Sequence, residues 1–132
     1  MSGGVAGLDG WRRKYTPTTL RAALWTALSL RRARRLLKAE GLHARIPPPP
    51  RLPFGASRGV NAVLRRTEPT CLERATVLQT WLAAHGHLVD IVIGVRSSDG
   101  RMAAHAWIDS GGQSTDGADF EEITRIRPPS AL

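Results

Sequence analysis

Apolar residues recur at helical spacing from Ala23 through Ala27, Leu30 and Ala33 to Leu37, and Leu20, Leu24 and Leu28 widen that stripe. The spacing predicts a helix that opens at Thr16 as N-cap with Pro17 in its first turn, and Gly41 is placed to stop it. "IPPPPRLP", residues 46–53, fits neither helix nor central strand and predicts an extended polyproline connector. A short helix is predicted over residues 58–66, with Val60, Val63 and Leu64 inward. Pro69 interrupts it. Thr70 and Glu73 then form a T-x-x-E capping box, so Cys71 opens the next helix, with Ala75, Leu78 and Leu82 on its face and Gly86 ending it.

Beyond that helix the periodicity changes. "LVDIVIGV", residues 88–95, is rich in Val and Ile and predicts a buried strand. "SSDG" turns the chain into a second strand, "RMAAHAWID", and "SGGQ" turns it toward a shorter third. Helices followed by an antiparallel meander make an α+β fold. At 132 residues the chain is expected to form one compact domain, with a basic helix and connector over 1–53 and a core over 54–132.

Charge divides this chain. Residues 1–66 carry 14 Lys/Arg against two acids, and residues 67–132 carry five Arg against nine acids, for a total of +8. The basic front half, with Arg31, Arg32, Arg34, Arg35 and Lys38 on one helix side, is expected to face an acidic partner or to be a solvated face. Nucleic acid is disfavoured as that partner, since the Arg face lacks interleaved aromatics and no reading motif is present. A lone cysteine leaves no pair for an internal disulfide, which agrees with a cytoplasmic setting. "AALWTALSL" is too short to span a bilayer.

The same lone cysteine carries the candidate chemistry. A buried single thiol is most often a small apolar side chain. At a helix start, however, the helix dipole and unpaired N–H groups favour the nucleophilic thiolate, and those N–H groups can receive an oxyanion. In the second strand Arg101, Ala103, His105, Trp107 and Asp109 share one face, and Met102, Ala104, Ala106 and Ile108 the other. His105, beside Trp107 among small alanines, is the candidate base for Cys71. Asp109 lies about 13 Å along the strand from it, too far to orient the ring. A two-residue turn at Gly111-Gly112 brings Asp116 diagonal to His105, whereas a three-residue turn brings Asp119. The two-residue turn is the commoner, so Asp116 is preferred as third member. His43, His85 and His87 lie beside the connector and the Gly86 turn, and the chain offers no recognisable metal-ligand spacing, so neither metal nor cofactor is expected.

"TCLERATVLQTWLAAHG", "VDIVIGV" and "AHAWID" followed by a Gly, in that order, resemble the transglutaminase-like leader peptidases of lasso-peptide biosynthesis. The resemblance covers about residues 55–120. It implies a papain/transglutaminase-like cysteine protease core in which a Cys–His–Asp triad removes the leader from a precursor peptide. By motif, Cys71 is then the nucleophile and His105 the base, while "QSTDGAD" leaves Asp116 against Asp119 open. The resemblance also implies a separate leader-recognition protein and an ATP-using lasso cyclase as partners. Trp107, Arg31, Arg32 and Arg35 are the expected substrate contacts. A transglutaminase or amidase acting on side-chain amides, and a basic nucleic-acid-binding protein without enzymatic activity, are the alternatives.

Overall fold

The computed structural model describes residues 16–41, 45–109 and 120–129. Among these residues three α-helices, α1 (Pro17–Glu40), α2 (Ser57–Thr67) and α3 (Cys71–Ala84), precede three strands, β1 (Asp90–Ser98), β2 (Arg101–Asp109) and β3 (Glu121–Ile126). A 3-10 turn, Phe54–Ala56, leads into α2. The fold is α+β. These residues gather into two compact units, one holding 16–28 and 49–68, the other 29–41, 45–48, 69–109 and 120–129.

In the first unit, the early turns of α1 do not bury the leucines that the periodicity selected. Leu20, Leu24 and Leu28 are exposed, whereas Thr19, Ala22 and Thr26 are buried. Close approach decides this. A Cβ on Gly59 of α2 would collide with the Thr19 carbonyl and the Ala23 nitrogen, so backbone meets backbone where small residues permit it. Thr26 is tolerated there because its hydroxyl donates to the Ala22 carbonyl at 2.8 Å. Val60 and Leu64 are buried as predicted. Arg51–Pro53 adopt neither helix nor strand before the 3-10 turn, and Pro53 has the polyproline angles φ −66°, ψ 151°.

In the second unit, α3 starts where the capping box placed it. The Thr70 hydroxyl accepts from the Glu73 N–H at 3.2 Å, and the Glu73 carboxylate accepts from the Thr70 N–H at 3.1 Å. The helix is buried over more than the predicted stripe. Glu73, Thr76, Gln79 and Thr80 are buried with Ala75, Val77, Trp81 and Ala83, while Leu78 and Leu82 are only half-buried. The buried Glu73, Thr76, Gln79 and Thr80 side chains each have a partner. Thr76 and Thr80 donate to the carbonyls one turn back, and Gln79 Nε2 donates to the Val89 and Ile126 carbonyls.

The sheet order is β2-β1-β3, so β3 pairs with β1 and the chain does not form a meander. The reason is legible in β1, where Ile91 and Val92 point to opposite faces and both are buried, the property of a central strand. The Asp99-Gly100 turn, with φ of 52° and 76°, pairs Ser98 with Arg101 and carries β1 past its predicted end. Ala75, Ile91 and Ala106 form a core against which Cys71, Leu72, Ile93, Ile108 and Ile126 pack. Among the described residues no helix is long and apolar enough to cross a membrane.

Candidate active site

Cys71 is the first residue of α3, and its half-buried thiol packs against the α3 face of the sheet. Its Sγ accepts a hydrogen bond from the Ala106 N–H at 3.4 Å. Ala106 lies on β2, an outer strand, so this N–H points out of the sheet's edge and the sulfur caps it. Glu73 anchors the helix start from beneath. It is 5% exposed, and Arg34 on α1 donates to it through Nε at 3.1 Å and Nη2 at 3.4 Å. Burial opposes ionisation of that carboxyl, but the Arg34 guanidinium and the Thr70 N–H outweigh it and hold its pKa below the ordinary value.

His105 is the neighbour of Ala106 in the chain and lies on the opposite face of β2. Its half-buried ring stacks on Trp107 at 5.8 Å between centroids and meets Phe120 at 5.3 Å. Gly94, its partner on β1, makes this cluster possible: a Cβ there would stand 2.9 Å from the Trp107 ring and 3.0 Å from Phe120 Cβ. The structure therefore brings Cys71 to the backbone beside His105, while the imidazole itself rests among aromatic rings.

Asp116 and Asp119 lie outside the described residues. The hairpin register that favoured Asp116 does not apply, because β3 pairs with β1 rather than β2. Arg31, Arg32 and Arg35 are exposed on α1, but Arg34 leaves that group to pair with Glu73. Asp109 and Asp90 both accept from Arg125, with Glu122 as a third carboxylate on the same guanidinium. His85 is structural, its Nδ1 bonded to the Trp81 carbonyl at 2.8 Å. Sequence reasoning missed the Arg34–Glu73 pair and the Phe120 wall. The capping box had marked Glu73, but nothing local to residue 73 points to a partner 39 positions earlier.

A family model, that of the transglutaminase-like superfamily, matches residues 17–128 of the chain. The chain belongs to that superfamily. Its members are generally cysteine-type enzymes. Comparison with curated proteins and with solved structures finds no match.

Proposed function

We propose that this transglutaminase-like protein is a cysteine peptidase that removes the leader from a lasso-peptide precursor. The observation that carries the reading is the Cys71 thiol at the first turn of α3, capped by the N–H of the residue next to His105. Cys71 is the nucleophile and His105 the base, with Asp116 or Asp119 orienting the imidazole. For proton transfer the His105 ring has to leave Trp107 and Phe120 and turn round the β2 edge toward the sulfur. The thiol gives its proton to the imidazole and the sulfur attacks the scissile carbonyl. The oxyanion that forms faces the backbone N–H groups at the start of α3 that the Thr70 cap does not take. The imidazolium then protonates the leaving amine. Water, deprotonated by the same ring, hydrolyses the thioester and frees the thiol.

In this reading the protein is cytoplasmic and works with a separate leader-recognition protein and a lasso cyclase. Exposed Arg31, Arg32 and Arg35 steer the acidic parts of that assembly, and Trp107 contacts the substrate. The test is mass spectrometry of a precursor peptide incubated with the protein, with and without its recognition partner. Two fragments whose masses sum to the precursor plus one water support leader cleavage, and their absence under both conditions overturns it. Family membership also favours a second reading, transfer or hydrolysis at side-chain amides, and the same spectra would show it as a mass change without backbone cleavage.

A further inference from the structure

The face of the sheet that carries His105 continues toward the β1–β2 turn. Gly94 pairs with His105, Arg96 with Ala103 and Ser98 with Arg101, so these side chains share that face. Near the turn Arg96, Ser98, Asp99, Arg101 and Ala103 line a surface depression of about 470 Å³. Two guanidinium groups against one carboxylate leave it with a net positive charge. Arg96 is held in place over the Phe120 ring, 5.0 Å from its centroid. Two other arginines of this unit are neutralised, Arg34 by Glu73 and Arg125 by Asp90, Asp109 and Glu122. Among the described residues neither Arg96 nor Arg101 forms an ion pair. Two arginines with no carboxylate partner among the described residues, one of them fixed by stacking, can receive an anion.

The adjoining edge says what carries that anion. Because the Ala106 N–H points outward to Cys71, strand alternation places the Ala104 and Met102 backbone groups on the same edge, which no strand among the described residues pairs. Both residues are exposed, Met102 to 75%. An outer strand with open N–H and C=O groups accepts an extended peptide as an added strand. We propose that Arg96 and Arg101 form a subsite for a carboxylate of an extended peptide laid along β2. The proposal rests on the peptidase reading for its substrate, and it places the carboxylate between the levels of Ala103 and Arg101, about 7–13 Å along β2 from His105.

The experiment uses the full chain carrying Cys71→Ala, so that binding is read without turnover. Three probes are compared by NMR of the arginine Nε–H signals and by titration: acetyl-TEETGG-amide, acetyl-TQQTGG-amide, and acetyl-TQQTGG with a free C-terminal carboxylate. The Glu peptide should shift the Arg96 and Arg101 signals and bind about fivefold more weakly to Arg101→Gln, the size expected for one exposed ion pair. Arg101 is exposed, so this variant leaves the Phe120 packing intact. Shifts with the free-acid Gln peptide alone would still support the subsite and assign it to a chain terminus. Equal shifts with the Gln amide, or an equal loss in Arg66→Gln, would overturn it. Binding by the Cys71→Ala protein combined with failure of the wild type to cleave a precursor would refute the peptidase reading and leave the subsite standing.

Discussion

Glu73→Gln tests the support beneath the nucleophile. The carboxylate takes two bonds from Arg34 and one from the Thr70 N–H, and it is almost fully buried. Gln keeps the shape and one acceptor oxygen but loses the charge and offers Arg34 a donor. Hydrogen bonds to charged groups contribute about 1.5–3 kcal/mol each. The Arg34 side chain is 56% exposed, so solvent screens the pair and its share falls toward the surface range of below about 1 kcal/mol. Together these give a loss of about 1–2 kcal/mol at pH 7. For a chain of this size that lowers the melting midpoint by roughly 4–8 °C.

The pH dependence carries the sharper test. The folded pKa of Glu73 lies below its ordinary value of 4.5, so its contribution is present above that value and lost as pH falls through the lowered one. Wild type and Glu73→Gln should therefore differ fully at pH 7 and converge as the pH is taken down toward 3. Urea denaturation followed by circular dichroism across that range measures both. A neutral substitution at pH 7, or a gap of constant size down to pH 3, would refute the reasoning.

Three further outcomes are expected. Cys71→Ala should abolish leader removal with the circular dichroism spectrum unchanged, and iodoacetamide should label the native wild-type thiol; cleavage by the Ala variant would end the nucleophile assignment. Gly94→Ala forces a methyl against Trp107, Phe120 and the Glu121 carbonyl, so a loss of about 1–3 kcal/mol in denaturation is expected, and an unchanged midpoint would show that this face repacks freely. Reversing Arg31, Arg32 and Arg35 to Glu should slow cleavage of the full precursor at low salt while sparing a short peptide spanning the cut site. Raising salt should shrink that difference, because exposed charges are screened beyond about 8–10 Å, and equal loss on both substrates would indicate damaged folding instead.

Local physics determined much of this protein. The T-x-x-E box and Pro69 place the start of α3 at Cys71, since capping is settled within four residues. Alternation and the Asp-Gly turn likewise place β2 at Arg101–Asp109 with His105 and Trp107 on one face. Tertiary structure decided the rest, wherever the partner is distant in sequence. Hydrophobic periodicity chose Leu20, Leu24 and Leu28 for the interior, but backbone approach at Gly59 buried Thr19, Ala22 and Thr26 instead. A meander was the simplest reading of three successive strands. Yet β1 is apolar on both faces and takes the centre, which sends β3 to its far edge and removes the register that had favoured Asp116. Arg34 reads as one more charge on a basic helix until folding lays it against Glu73. No window along the chain contains both ends of such a contact, so only the fold could reveal it.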